Sequence, residues 1–135
     1  MTKSQVSVEY MLVMGFATLM TIPLLLIYYT YSADSSDTVA TSQALQIARM
    51  IVDSSESVYY LGKPSQTMLK LNFPDKIKAA KMENYEVIFN LSTTHGIAEI
   101  VQVSAVNISG NLPTSRGIHI ITIKAEEGYV QITSN

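Results

Sequence analysis

The feature that most constrains this chain is an apolar segment near its N-terminus, at residues 5–31. Glu9 is the only charged residue in this segment, and no Lys, Arg, Asp or Glu occurs at residues 10–33. A helix rises about 1.5 Å per residue and the hydrocarbon core of a bilayer is about 30 Å thick, so the segment is long enough to span a membrane. Glu9 lies at the edge of the apolar run, where an unpaired carboxylate is costly and needs headgroup access or a specific partner. Glu9 is therefore the first candidate functional residue.

The polar residues ahead of the segment form a short pattern. Lys3 and Ser4 are followed by Gln5, Ser7 and Glu9 at alternate positions. This stretch resembles the class III signal peptide of archaeal type IV pilin-like proteins. In that pattern a basic and a small residue precede the cleavage site, and Gln-x-Ser-x-Glu and an apolar run follow it.

The resemblance implies a leader at residues 1–4 that a prepilin peptidase removes by cutting between Ser4 and Gln5. Glu9 then becomes the fifth residue of the mature chain. The sequence departs from the family pattern at Ser4, where glycine is usual, and at Val13, where leucine is expected.

A secretory signal peptide is the competing interpretation of the N-terminus. Its apolar core is normally about 7 to 15 residues long, whereas this run continues to Tyr31, so we expect the helix to be retained. Lys3 precedes the segment, and Asp34 and Asp37 follow it. This charge asymmetry predicts a cytoplasmic N-terminus and an extracellular body.

Composition limits what the rest of the chain can be. The 135 residues suit one small body beyond the apolar segment, and the net charge of -2 gives no electrostatic basis for binding nucleic acid. There is no cysteine, which excludes disulfides and thiolate metal sites. The expected organisation is a leader at 1–4, a hydrophobic membrane or filament-core helix at 5–32, an amphipathic continuation at 33–61 and an extracellular β domain at 62–135.

Helical periodicity continues beyond the apolar segment. Apolar and small residues recur there at spacings of three and four: Val39, Ala44, Leu45, Ala48, Ile51, Val52, Ser55, Val58 and Tyr59. No Gly or Pro separates the two patterns, so the sequence predicts one helix from about residue 6 to about residue 61, ended by Gly62-Lys63-Pro64. A kink is expected at Pro23, either as an ordinary transmembrane kink or as a point where the helix melts during filament assembly.

After Pro64 the apolar period changes to two, which predicts strands. Strands are expected at residues 68–73, 76–82, 85–91, 97–106, 118–124 and 129–133. Their short spacing predicts an α+β fold in which the long helix precedes a small antiparallel sheet or sandwich, as in type IV pilins. Both faces of strand 118–124 are apolar, which predicts a central strand with one face against the sheet core and the other against the helix.

Few residues carry chemistry. His95 and His119 have no carboxylate at metal-ligand spacing, and no catalytic motif is present, so we expect neither an enzyme nor a cofactor. Asn90 and Asn107 match the N-glycosylation acceptor pattern, as Asn90-Leu91-Ser92 and Asn107-Ile108-Ser109. Asn90 is expected to face solvent, and Asn107 lies near the turn at Gly110. Both are candidate glycosylation sites or plain surface residues.

Together these features favour a structural subunit of an archaeal type IV pilus-like surface filament, with Gln5, Glu9 and Pro23 as assembly residues. Its partners would be further copies of itself, the membrane before assembly, the prepilin peptidase and an assembly platform, and its usual task would be adhesion. Two alternatives remain open. One is a monomeric membrane-anchored protein with an extracellular β binding domain, and the other is an archaeal flagellin-type filament subunit.

Overall fold

The computed structural model describes the backbone of residues 2–135 and the side chains of residues 4–135. The predicted leader is therefore described in full only at Ser4, and Lys3 lies outside the described side chains. The chain divides into an N-terminal unit, residues 1–36, and a second unit, residues 37–135.

One helix, α1, runs from Thr2 to Leu61 and belongs to both units. This confirms the prediction of a single helix, and Pro23 lies within it without ending it. The helix stops where the sequence indicated, at Gly62. This residue has a positive φ of 76° and donates its N–H to the carbonyl of Tyr59 at 3.0 Å, a conformation that glycine adopts at little cost. The following Lys63–Pro64 peptide bond is cis.

Seven strands follow the helix, and the predicted α+β fold is confirmed. Their bounds are β1 Gln66–Phe73, β2 Ile77–Glu83, β3 Glu86–Thr93, β4 Gly96–Val103, β5 Ile108–Gly110, β6 Gly117–Ala125 and β7 Val130–Ser134. The predicted strand at 97–106 is too long, because β4 ends at Val103 and the chain then bends at residues 105–106. Residues 77–83 form a strand, as the sequence indicated.

The strands form two sheets. The four-stranded sheet has the order β1-β6-β7-β5, and the three-stranded sheet has the order β2-β3-β4. All pairings are antiparallel except that of β5 with β7, which is parallel. The four-stranded sheet is therefore mixed, and its parallel pair was not expected from the sequence.

In the second unit, α1 contributes one face to the core that it shares with both sheets. The buried residues of this face recur at helical spacing: Asp37, Ala40, Ala44, Ile47, Ala48, Ile51, Val52, Ser55 and Val58. The prediction that Val39 belongs to this face is wrong, because Val39 is 53% exposed. It lies one residue, or about 100° around the helix, from Ala40. The alanines at 40, 44 and 48 form a ridge of small residues along this face.

Aromatic and aliphatic side chains join the two sheets. Phe73 of β1 and Phe89 of β3 are both fully buried and meet edge to face, with ring centroids 6.1 Å apart. The N–H of Ile108, at the start of β5, donates to the carbonyl of Asn84 in the turn between β2 and β3 at 2.6 Å. The sheets are thus tied both through the core and through the backbone.

The expectation for β6 is only half right. The strand is internal to its sheet, and Ile121 and Ile123 are fully buried. Ile118 and Ile120, on the other face, are 61% and 47% exposed, so the helix does not cover that face. The apolar residues of this second face remain open to solvent in the isolated chain.

The short strand β5 was not predicted, and Gly110 explains how it fits. Gly110 has a positive φ of 148° and pairs with Ile132 of β7. A Cβ atom at Gly110 would lie 1.9 Å from the carbonyl oxygen of Ile132. Only glycine allows the two backbones to approach this closely.

Candidate functional site

The N-terminal unit consists of the apolar part of α1. Every described side chain at residues 4–32 is exposed, including those of Leu12, Phe16, Leu19 and Leu26. By length and composition, α1 can cross a membrane, and it is the one helix with this property among the described residues. This is a large apolar surface that the rest of the chain does not cover, and such surfaces mark membrane or protein contacts.

The sequence-predicted residues Ser4, Gln5, Glu9 and Pro23 all lie on this exposed part of α1. Gln5 and Glu9 are four residues apart and therefore lie on the same face, one turn apart. Cleavage before Gln5 would place a new α-amino group about one turn from the Glu9 carboxylate. The structure contains one copy of the chain, so the role of Glu9 in assembly stays a prediction.

A partly buried ion-pair cluster joins α1 to the β domain just beyond the apolar segment. Asp37 of α1 is buried, and its Oδ1 accepts a hydrogen bond from Nζ of Lys76 at 2.5 Å. Its Oδ2 accepts hydrogen bonds from the N–H of Thr94, at 2.8 Å, and from the Thr94 hydroxyl. Lys76 precedes β2, and Thr94 lies in the turn between β3 and β4. The Asp37 carboxylate thus joins the helix to two segments of the three-stranded sheet, the residue before β2 and the turn between β3 and β4.

The electrostatics of this cluster follow from its hydrogen bonds. Lys76, then the hydroxyl and the N–H of Thr94, hold the pKa of the Asp37 carboxyl well below its usual range. All of these donors favour the ionised form, so Asp37 remains a carboxylate at neutral and mildly acidic pH. The cluster therefore acts as a fixed fastening of the helix in this range.

A second carboxylate joins the turn after α1 to the turn between β6 and β7. Glu126, after β6, accepts from Lys124 at 2.8 Å and from Lys63 at 3.0 Å. Lys124 first, and then Lys63, lower the pKa of Glu126, and Glu126 in turn raises the pKa of Lys63. Near the C-terminal end of α1, the carboxylate of Glu56 accepts a hydrogen bond from the N–H of Ala105 at 2.8 Å. These contacts hold loops against the helix and against each other.

The two glycosylation candidates occupy different environments. Asn90 is half-buried in the middle of β3, and its Oδ1 is buried without a hydrogen bond from any described residue. Its side chain alternates with the core residues Phe89 and Leu91, as predicted, but the expectation that it faces solvent is wrong for Oδ1, which is buried. Asn107 directly precedes β5 and lines an open cleft. Glycosylation at either position stays a prediction.

The histidines do not form a metal centre. His119 contacts Ser115 through Nε2, which lies 3.2 Å from the hydroxyl and 3.0 Å from the carbonyl oxygen, and its ring packs edge to face on Phe73. Among the residues that the structure describes, no group of three His, Asp or Glu side chains is arranged to hold a metal ion. The contacts of His119 are therefore with Ser115 and Phe73 within the β domain.

Comparison of the chain with protein-family models, with curated proteins and with solved structures finds no match. Any functional argument therefore depends on the chemistry and geometry of the chain itself.

Sequence reasoning missed the cluster around Asp37 and the cleft beside Asn107. In the sequence Asp37 stands out only as a charge that follows the apolar segment, because its partners lie 39 and 57 residues further along the chain. The one local signal was a charged residue at a position in phase with Ala40, Ala44 and Ala48. A charge on a buried helical face indicates a buried partner.

Proposed function

We propose that this chain is the structural subunit of an archaeal type IV pilus-like surface filament, and that it polymerises through residues 5–32 of α1. It is inserted in the cytoplasmic membrane before assembly, and the filament is displayed at the cell surface. The observation that carries the proposal is that one helix is fully exposed and apolar at residues 5–32 and buried on one face by a β domain from Asp37 onwards. The signal-peptide-like pattern around Ser4 and Gln5 adds to it.

The physical argument concerns where the apolar surface of residues 5–32 can be buried. In a membrane, lipid covers it. When the subunit leaves the membrane, only the same segment of other copies offers a matching apolar surface, which produces a bundle of helices coated by β domains. A subunit that polymerises in this way needs a head whose fold does not depend on the apolar segment, and among the described residues the hydrophobic core of the second unit begins at Ala40.

Glu9 supplies the specificity in this proposal. Inside a bundle its carboxylate would be removed from water, and the α-ammonium group of Gln5 on an adjacent subunit would be its partner. Removal of one partner from a buried ion pair leaves an uncompensated charge and is strongly destabilising. The need to pair Glu9 with the α-ammonium group of Gln5 therefore fixes the axial position of each helix relative to its neighbour.

The test compares Glu9→Gln with Glu99→Gln in the native host. Both substitutions keep the shape of the side chain and remove one charge, but Glu99 is exposed on β4, far along the chain from the apolar segment. We expect both variants to reach the membrane at wild-type levels, and only Glu9→Gln to lose most of its filaments in electron micrographs of sheared cell-surface fractions.

Three results would count against the proposal or a part of it. Wild-type chain that remains monomeric in the membrane of cells with an active assembly machinery would instead indicate the anchored binding protein. Normal filaments from Glu9→Gln at equal protein level would show that assembly does not need the Glu9 charge. Filaments that rotate the cell would favour the flagellin-type alternative.

A further inference from the structure

A cleft lies between the turn that joins β2 to β3 and the neighbouring ends of β5 and β7. Its volume is about 620 Å³, which is within the range of small-molecule sites. Its walls are formed by Met82, Glu83, Asn84, Asn107, Ile108, Ser109, Tyr129 and Gln131. We refer to it as the Asn107 cleft. All of its lining residues belong to the second unit.

The walls of the Asn107 cleft are held by backbone contacts. The N–H of Ile108 donates to the carbonyl of Asn84 at 2.6 Å, and the N–H of Val130 donates to the carbonyl of Asn107 at 2.8 Å. Asn84 has a positive φ of 53°, which asparagine tolerates better than most residues and which shapes the tip of the turn. Because the backbone of these segments is fixed by its own hydrogen bonds, the cleft does not have to be created by a ligand.

The polar side chains of the cleft are not used by the fold. Within the described part of the chain, the side chains of Glu83, Asn84, Asn107, Ser109 and Gln131 make no hydrogen bond or ion pair with another residue. Three amides and one hydroxyl can each donate and accept, and the carboxylate accepts only. Five adjacent side chains with unused hydrogen-bonding capacity in one concave site are what a polar ligand needs.

The charge of the lining narrows the class of ligand. The eight lining residues include one carboxylate and no Lys, Arg or His, so phosphate, sulfate and other anions gain no attraction there. The side chain of Tyr129, together with that of Met82, adds apolar surface beside the polar groups, whereas Ile108 is fully buried. This lining disfavours an anionic ligand, and it suits a ligand that carries several neighbouring hydroxyl groups and has an apolar C–H face.

We propose that the Asn107 cleft is a binding site for a neutral saccharide. The amides and the carboxylate bind its hydroxyl groups, and Tyr129 packs against its ring. This proposal does not depend on the filament, because an anchored monomer would present the same cleft to the outside. The β domain would then bind a saccharide, in addition to any role in covering the helices of a filament.

The saccharide has two sources. It can belong to another surface or molecule, or it can be a glycan attached to Asn107, which is itself in an N-glycosylation pattern. The shared chemistry is a neutral sugar seated in the cleft. The experiment therefore uses the full chain in detergent micelles in two forms, one from a host without N-glycosylation and one from the native host.

In the first arm, the unglycosylated chain is mixed with a panel of neutral monosaccharides and disaccharides, including hexoses and N-acetylhexosamines. Saturation-transfer NMR detects binding, with a sulfated disaccharide as the charged comparison. We expect at least one neutral sugar to bind and the sulfated sugar not to bind. Glu83→Ala and Gln131→Ala each change an exposed side chain, and each should weaken binding by about tenfold, whereas Gln66→Ala, exposed on β1 outside the cleft, should not.

In the second arm, the mass of the native chain shows whether Asn107 carries a glycan. Sugar protons of that glycan in contact with the ring of Tyr129 would support the same site with an attached ligand. Two results overturn the proposal. One is the absence of binding in the first arm together with no glycan contact to Tyr129 in the second. The other is binding that Glu83→Ala and Gln131→Ala leave unchanged.

Discussion

The carboxylate of Asp37 on α1 and Nζ of Lys76, just before β2, lie 2.5 Å apart. The pair joins positions 39 residues apart in the sequence and lies at the first buried position of the helix beyond the apolar segment. Thr94 completes the set of donors around the carboxylate. The helix is therefore fastened to its β domain at the boundary where it becomes exposed.

The first prediction concerns this pair. Asp37→Asn removes the charge that binds Lys76 and should lower the unfolding temperature of the full chain in detergent at pH 7. The pKa of Asp37 is lowered in the folded protein, so its contribution is fully present above the unfolded value of about 4 and is lost as pH falls toward the folded value. The difference between wild type and variant should therefore shrink below about pH 4.

Thermal unfolding at several pH values, followed by circular dichroism, checks this result. Asp53→Asn is the matched control, because Asp53 lies exposed on the same helix. It should show neither the loss at pH 7 nor the narrowing in acid. A pH-independent difference for Asp37→Asn would contradict the ionic role of the residue.

The second prediction concerns the buried face of α1. Ile51 is fully buried and Val39 is 53% exposed, although both were expected to pack on the sheet. Ile51→Ala should reduce the free energy of unfolding by about 2 to 5 kcal/mol, because it removes buried methyl groups and leaves a cavity. Val39→Ala should change it by less than about 0.5 kcal/mol. Urea titration of both variants measures the difference, and equal effects would mean that the helix packs through another face.

The third prediction concerns Gly110. Gly110→Ala should destabilise the β domain by more than about 1 kcal/mol, because the added Cβ collides with the carbonyl of Ile132 and the φ value is unfavourable. Gly117→Ala has a comparable φ of 126° but open space around it, so it isolates the cost of φ from the collision. Urea unfolding should give a clearly lower free energy of unfolding for Gly110→Ala than for Gly117→Ala. The reverse order would show that β5 does not pair with β7 as described.

The fourth prediction concerns the leader. If a prepilin peptidase cuts between Ser4 and Gln5, then the mature native chain begins at Gln5, and Ser4→Phe leaves the precursor intact. Ser35→Phe makes the same change at an exposed position further along α1 and should be processed normally. Intact-mass measurement of the membrane fraction distinguishes the forms. A wild-type chain that starts at Met1, or one that starts after Tyr31, would contradict this prediction.

The helix and most strands were predictable because their signals are local. An uninterrupted apolar and amphipathic pattern defines α1, and alternation defines strands such as β3. Val39 was misplaced because the buried ridge consists of small residues at Ala40, Ala44 and Ala48, whose hydropathy is a weaker signal than that of a single exposed valine. Local hydropathy shows which side chains favour burial, but it does not show which of them another element covers.

The remaining features depend on contacts between distant residues. The three residues of β5 are too few to show alternation, and the strand is held by parallel pairing with β7. The Asn107 cleft is assembled from three separate segments of the chain. Ile118 and Ile120 look like core residues in the sequence, yet the isolated chain has no element to cover them. Such features need the topology before they can be recognised.

The threonines of the apolar segment have a consequence for transfer between environments. The hydroxyls of Thr18, Thr21 and Thr30 donate to the carbonyls of Met14, Ala17 and Leu26, each one turn earlier on the same helix. These polar groups are therefore satisfied without lipid headgroups, water or a second chain. If the segment passes from lipid into a bundle of helices as proposed, no side-chain hydrogen bond at these three positions has to break, and Glu9 is the one charged residue at 5–33 whose surroundings change.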